Sequence, residues 1–120
     1  MRNLEQIRAA NALSFANKGA VSGDKGGELI KKIAPLIQNH GLLATASFSF
    51  GEKEGWQRVF DAIAQHLADK DIGIVGSDVK DRLSLMTFLT QPSTTSETLK
   101  LATTETMAWL TFARRFVKKV

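Results

Sequence analysis

The C-terminal stretch decides the fold class: TTSETLKLATTETMAWLTFARRFVKKV, residues 94–120. Apolar or small side chains recur in it every three or four residues, which places them along one face of a helix. They are Leu99, Ala102, Thr106, Trp109, Leu110, Ala113, Phe116, Val117 and Val120. Thr94 and Glu97 have the spacing of a capping box, in which the two side chains accept hydrogen bonds from exposed first-turn amides. We therefore predict one long C-terminal helix with a capping box at its start.

Three upstream stretches show the same helical spacing. We expect helices over residues 3–18, 24–41 and 55–67, with Asp24 capping the second. Pro35 lies inside the second stretch, where it lacks an amide hydrogen and crowds the preceding turn, so we expect a kink or a new segment there. In the first stretch we expect the inward side chains to be Leu4, Ile7, Ala10, Leu13, Phe15 and Ala16.

Residues 42–50, LLATASFSF, have two interpretations. Residues 46–50 alternate as a strand does, but the chain has no second alternating run to pair with them. An unpaired strand leaves backbone groups unsatisfied, so we predict a buried helix instead.

The next helix is expected to begin at Ser77 or Asp78 and to end before Pro92, with inward side chains Val79, Leu83, Leu85, Met86 and Leu89. Together these stretches predict an all-α protein. It is a single domain over residues 1–120, a compact bundle of about five to six helices of which the C-terminal one is longest.

Composition excludes several classes of protein. The chain is 43% hydrophobic and 23% charged, which is typical of a globular domain and not of a disordered chain. The absence of cysteine excludes disulfides, thiolate metal sites and thiol catalysis. No apolar run is long enough to span a membrane, and the N-terminus lacks the layout of a signal peptide. We therefore expect a cytoplasmic protein without membrane contact.

Residues suited to catalysis or metal binding are scarce. His40 and His66 lie far apart in the sequence, and we expect both to have surface roles. The chain contains no metalloprotease, phosphate-loop or nucleophile-elbow motif. Four aspartates, at positions 69, 71, 78 and 81, do not have the spacing of a cation-binding loop. We expect no catalytic residue, no metal and no cofactor, and hence no enzyme.

The charges divide the chain into three parts. The net charge of +4 arises from basic ends, +3 over residues 1–40 and +3 over residues 94–120, which flank a middle part of net charge −2. Such a chain can present a phosphate-binding face, or it can bind acidic surfaces of other proteins.

The basic end of the last helix has two interpretations, and the residues alone leave both open. Arg114, Arg115, Lys118 and Lys119 lie where cations stabilise the negative end of a helix. They also form like-charged pairs four residues apart, which cost stability unless an anion lies across them. If an anion does lie across them, these four side chains form part of a track that binds a phosphate backbone. The candidate RNA-binding residues are then Arg8, Lys25, Lys31, Arg114, Arg115 and Lys118.

Aromatic side chains are few outside the apolar stripes. Trp56 and Trp109 both fall within stripes, so we expect them in the core. Recognition of RNA would therefore proceed through its backbone and not through stacking of bases on aromatic rings.

Three blocks of sequence resemble a known family. They are Arg8 with the alanines after it, residues 34–45 (APLIQNHGLLAT) and residues 107–116 (MAWLTFARRF). In their order, and in the total length of the chain, these blocks are similar to the small all-helical subunit of the type III-B CRISPR effector, the Cmr complex.

The resemblance implies a non-catalytic subunit of a ribonucleoprotein that supports antiviral defence. Members of the family line up in several copies beside the backbone subunits and help to form the groove for guide RNA and target RNA. Cleavage belongs to the backbone subunits. The implied partners are thus other Cmr subunits, further copies of the chain, guide RNA and target RNA. The alternative is a helical protein–protein adaptor that makes no contact with nucleic acid.

Overall fold

The longest helix in the part of the chain that the structure describes is the C-terminal one, Ser96–Phe116. A computed structural model describes residues 3–17 and 26–117. Within these ranges it contains no strand and six helices: α1 Leu4–Asn17, α2 Gly26–His40, α3 Leu42–Ser49, α4 Glu54–Ala68, α5 Arg82–Leu89 and α6 Ser96–Phe116. Helix α6 packs against α1, α2, α3 and α4. The predicted all-α fold and its long C-terminal helix are confirmed.

The predicted inward face of α6 is largely buried. Trp109 and Leu110 are each 1% exposed, and the buried side chains of this helix are Ala102, Glu105, Thr106, Trp109, Leu110 and Ala113. Phe116 is exposed, contrary to prediction, and Val120 lies outside the described residues. Trp56 also belongs to the core, so the prediction for both tryptophans is confirmed.

The start of α6 differs from the predicted capping box. The N-cap is Thr95, whose hydroxyl oxygen accepts a hydrogen bond from the amide of Thr98 at 3.1 Å. Thr94 instead donates its hydroxyl hydrogen to the carbonyl oxygen of Phe88 at 2.7 Å. Because Thr94 closes the turn between α5 and α6, the helix begins one residue later than the Thr94–Glu97 spacing predicts.

Helix α1 buries a narrower face than predicted. Its buried side chains are Ile7, Ala12 and Phe15, whereas Leu4 and Leu13 are 49% and 46% exposed. The inward prediction for these two leucines is wrong, because alanines on several sides of α1 blur the direction of its apolar face.

Helix α2 runs through Pro35 without interruption. No new segment begins there, contrary to one of the two predicted outcomes. Pro35 and Lys31 are both exposed, so water can hydrate the Lys31 carbonyl oxygen that a residue 35 amide would otherwise bond. Three isoleucines of α2 fill the core: Ile30, Ile33 and Ile37. The predicted cap at Asp24 lies outside the described residues.

Gly41 joins α2 to α3 without a loop. Its amide donates to the carbonyl oxygen of Ile37 at 2.7 Å, and its φ of 87° and ψ of 165° lie in a region that is nearly specific to glycine. The next amide, that of Leu42, donates to the hydroxyl oxygen of Thr103 on α6 at 3.2 Å. The turn between α2 and α3 is therefore attached directly to α6.

The helical interpretation of residues 42–50 is confirmed. Helix α3 buries Leu42, Thr45, Ala46 and Ser49. Phe48 in α3 and Phe50 directly after it point away from the core, since Phe48 is 54% exposed and Phe50 is 44% exposed. Aromatic rings are thus present on the surface, although the stripe pattern predicts few.

The segment after α4 differs most from prediction. Helix α5 begins at Arg82, and neither Ser77 nor Asp78 opens it. Asp81 is the N-cap: its carboxylate accepts from the Ser84 amide at 2.8 Å, and its own amide donates to the Ser84 hydroxyl at 3.0 Å. The predicted inward position of Leu83 is wrong, because this side chain is 66% exposed.

Val79 explains why the start of α5 is misplaced by the sequence pattern. Its side chain is buried, as is that of Val75, yet both residues lie in the irregular segment before the helix. The apolar character of Val79 therefore reflects core filling from a loop and not helix periodicity.

Within the described residues, no helix has both the length and the apolar character needed to cross a bilayer.

We predict that Gly41→Ala lowers the free energy of unfolding by about 1–3 kcal/mol. A methyl group at this position meets no atom within 4 Å, so the loss arises from backbone strain alone. Gly51→Ala is the matched control: its φ is not positive and its new methyl group has only an ordinary contact at 3.7 Å. Urea denaturation measures both variants. Equal stability of the two would contradict the assigned backbone conformation.

Candidate functional site

An ion pair lies between α1 and α6, in the interior of the bundle. The guanidinium of Arg8 donates to both carboxylate oxygens of Glu105, from Nε to Oε2 and from Nη2 to Oε1, each at 2.7 Å. The Glu105 side chain is 8% exposed and that of Arg8 is 22% exposed. Two parallel bonds of this kind are stronger and more directional than a single contact between charged groups.

His66 on α4 extends this ion pair into a network. Its Nε2 lies 2.9 Å from Oε2 of Glu105, and its Nδ1 lies 2.9 Å from the side-chain amide nitrogen, Nδ2, of Asn11. Because an amide NH2 group can only donate, Nδ1 accepts and Nε2 carries the hydrogen that bonds Glu105. The same amide nitrogen donates to Asp69 at 3.1 Å. Both ring nitrogens of a neutral His66 are therefore satisfied.

The environment sets the charge of each group. Burial lowers the pKa of His66, and its hydrogen bond to Glu105 opposes this only in part. Burial acts to raise the pKa of Glu105, but hydrogen bonds from Arg8 and His66 outweigh it and hold that pKa below its usual value. The bond to Glu105 raises the pKa of Arg8. At neutral pH the network thus combines a guanidinium, a carboxylate and a neutral imidazole.

The surface role predicted for His66 is wrong, since His66 is 2% exposed. The prediction for His40 is confirmed, since His40 is exposed.

The sequence contains a usable signal for the network. Each polar residue lies at helical spacing from a buried apolar one: Asn11 follows Ile7 by four, His66 follows Ile63 by three, and Glu105 follows Ala102 by three. A polar side chain on an apolar face needs a partner, so three such positions on three helices indicate a shared network.

A cavity of about 400 Å³ lies between α1 and α4 beside this network. It is lined by Asn11, Ser14, Phe15, Arg58, Asp61, Ala62, Gln65, His66 and Asp69. His66 has no free nitrogen to take a proton from a bound molecule, because Glu105 and Asn11 occupy both. No group of three or more metal-binding side chains occurs among residues 3–17 and 26–117. The geometry of the network therefore favours a role in positioning helices.

The candidate RNA-binding residues fall into separate places. Lys31, Arg114 and Arg115 are exposed, whereas Arg8 is held by Glu105. Arg114 lies nine residues beyond Glu105, roughly 14 Å along the axis of α6, so the guanidinium of Arg8 does not adjoin the basic end of the helix. Lys25 and Lys118 lie outside the described residues.

We predict that Glu105→Gln lowers the free energy of unfolding by roughly 2–4 kcal/mol, because it leaves the Arg8 charge half-buried without its partner. Arg8→Met added to it should recover part of the loss, so the two changes together cost less than their sum. The control is Glu54→Gln, which breaks the exposed Arg58 pair and should cost less than about 0.5 kcal/mol. Urea denaturation of the wild type, both single variants, the double variant and the control tests this, and additive losses would argue against the pair.

We predict that acid destabilises the chain through His66. Its pKa is lower in the folded chain than the ordinary 6.5, so the unfolded chain takes up the proton first. The stabilisation is complete above about pH 6.5 and is lost as the pH falls toward the depressed folded pKa. His66→Gln should flatten the dependence of unfolding free energy on pH between about pH 7 and 5. A slope equal to that of the wild type would contradict the assignment.

The comparisons with known proteins give one match. No curated protein and no solved structure matches the chain significantly. Residues 4–120 match the family described as CRISPR-associated protein (Cas_Cmr5), and this match spans nearly the whole chain. Together with the all-helical fold, it confirms the resemblance of the three sequence blocks. The chain belongs to the Cas_Cmr5 family, the small subunits of the type III-B CRISPR effector, the Cmr complex.

Proposed function

We propose that this chain is a non-catalytic subunit that lines the groove for guide RNA and target RNA in a type III-B effector. It stacks beside the backbone subunits, contacts RNA phosphates and supports antiviral defence in the cytoplasm. The observation that carries the RNA contact is the state of Arg114 and Arg115. Both are exposed, and neither has an acidic partner within ion-pair distance among the described residues.

The contrast between the arginines supports this choice. Arg8 is bonded to Glu105 and Arg58 is bonded to Glu54, so these charges are compensated within the chain. Arg114 and Arg115 lie in the last turn of α6 without an acidic partner among the described residues, and Lys118 and Lys119 follow them in the sequence. Uncompensated cations that cluster on a surface attract a phosphate backbone and release its counterions. Lys31, exposed on α2, is a further candidate, and Lys25 is one from sequence alone.

Arg8 has a different role in this proposal. Two of its three guanidinium nitrogens donate to Glu105. It therefore positions α1 on α6, and thereby supports the basic end of α6, without being the main phosphate contact.

The non-catalytic part of the proposal has its own support. His66 is the buried residue best suited to acid–base chemistry, and both of its nitrogens are already bonded within the chain. A general base needs a free nitrogen within hydrogen-bond reach of the proton that it removes. The imidazole is thus committed to holding α4 against α6.

We predict that Arg114→Ala/Arg115→Ala weakens binding to single-stranded RNA and reduces its dependence on salt. Loss of two phosphate contacts lowers the slope of log affinity against log salt by about 1.4. Fluorescence anisotropy with a labelled RNA, from about 50 to 200 mM salt, measures this slope. Lys53→Ala/Lys70→Ala is the matched control, because it removes the same charge from exposed positions in the acidic middle of the chain.

The control variant should bind RNA nearly as the wild type does. Equal effects of the two pairs would show that net charge alone matters and would contradict a localised site. If the arginine pair leaves RNA affinity unchanged but abolishes binding to purified partner subunits, the chain is a protein adaptor and the RNA proposal is wrong.

A further inference from the structure

We propose that a groove between α2 and α3 binds a large apolar side chain of a partner subunit. The groove has a volume of about 310 Å³ and is lined by Leu36, His40, Ala44, Thr45 and Phe48. We call it the α2–α3 groove. The inference rests on the part of the proposed function that places the chain in an assembly of subunits, and it does not depend on RNA contact.

The walls of the groove follow from helix geometry. Leu36 and His40 lie one turn apart on α2, and Ala44 and Phe48 lie one turn apart on α3. Because Gly41 joins the two helices without a loop and Leu42 is bonded to α6, the angle between the walls is set by the core. The groove is therefore preformed, which reduces the entropy lost when a partner binds.

Phe48 is the exposed aromatic wall of the groove. Phe48 is 54% exposed, yet its ring is held by an edge contact with Trp56, with the two ring centroids 5.5 Å apart. Phe50, by comparison, is covered by the guanidinium of Arg82 at 3.9 Å from its ring centre. An aromatic ring that is fixed but uncovered is typical of an anchor at a protein interface.

The lining chemistry identifies the occupant as a polypeptide. The lining is almost entirely apolar, and the hydroxyl of Thr45 already donates to the carbonyl oxygen of Gly41 at 2.9 Å. No lysine or arginine of the described residues lines the groove, whereas RNA binding needs several phosphate contacts. The volume is at the lower end of the range for ligand pockets and has room for one large side chain.

The charge at one end of the groove indicates further what chemistry the bound segment has. Lys32 is exposed and lies one turn before Leu36 on α2, so a single cation extends the wall of α2. A complementary segment therefore carries a leucine, methionine or aromatic side chain next to an aspartate or glutamate. We assign such a segment, on a backbone subunit of the effector, to the α2–α3 groove.

Two variants test the groove in different ways. Phe48→Ser removes the aromatic wall, and Ala44→Gln partly fills the groove from an exposed position while leaving the contact of Phe48 with Trp56 intact. Each should weaken binding to the purified backbone subunits, measured without RNA by calorimetry, by about tenfold or more. Leu101→Ser on α6 is the control, since Leu101 is 59% exposed and does not line the groove; it should change affinity by less than about twofold.

The outcomes separate this inference from the RNA proposal. Unfolding midpoints of the variants confirm that they fold, and hydrogen exchange should show protection of amides 42–50 in the complex. If the wild type and both groove variants bind the subunits equally, the inference is wrong while the RNA proposal stands. If single-stranded RNA alone protects amides 42–50, the occupant is a nucleobase and the inference is overturned. Loss of RNA binding in Arg114→Ala/Arg115→Ala with unchanged subunit affinity supports both.

Discussion

The carboxylate of Glu105 is the constraint on which the arrangement of helices depends. It lies on α6 and accepts two hydrogen bonds from Arg8 on α1 and one from His66 on α4. Burial of a carboxylate is costly, and these three donors are what make it tolerable. Since the bonds are short and directional, α1 and α4 can each dock on α6 in one register only.

That constraint also determines which positive charge is left for a partner. The guanidinium of Arg8 is used inside the chain, so its charge offsets Glu105 and adds little to the surface. Among the described residues, Arg114 and Arg115 lie a few turns farther along the same helix and have no acidic partner within ion-pair distance. One rigid helix thus carries a neutralised middle and a cationic end, and the register set at Glu105 fixes where the cations lie.

The sequence predicts most of the fold because periodic stripes record burial on helices. Helices α2, α4 and α6 have long, regular stripes and lie close to their predicted places. The start of α5 is misplaced because Val79 fills the core from a loop, so its apolar side chain does not mark a helix. The capping residues of α6 are displaced by one because Thr94 has a competing partner in Phe88. Such errors arise where tertiary contacts override local pattern.

The candidate site is less predictable, since it depends on contacts between helices. Glu105 and His66 lie within apolar stripes, which indicates that each needs a polar partner, but only their proximity in space shows that they bond to each other. Nothing local distinguishes Arg8 from a surface cation either.

Phe48 is the opposite case, because the sequence around it already indicates that an aromatic ring is exposed. The alternating run at residues 46–50 favours a strand, and a helix over the same residues cannot bury both phenylalanines on one face. A helix that carries this pattern must leave at least one of the rings at the surface, where the ring gains nothing from folding. In a chain that belongs to a family of subunits, an exposed ring held in place by Trp56 is best explained by a surface that another protein covers.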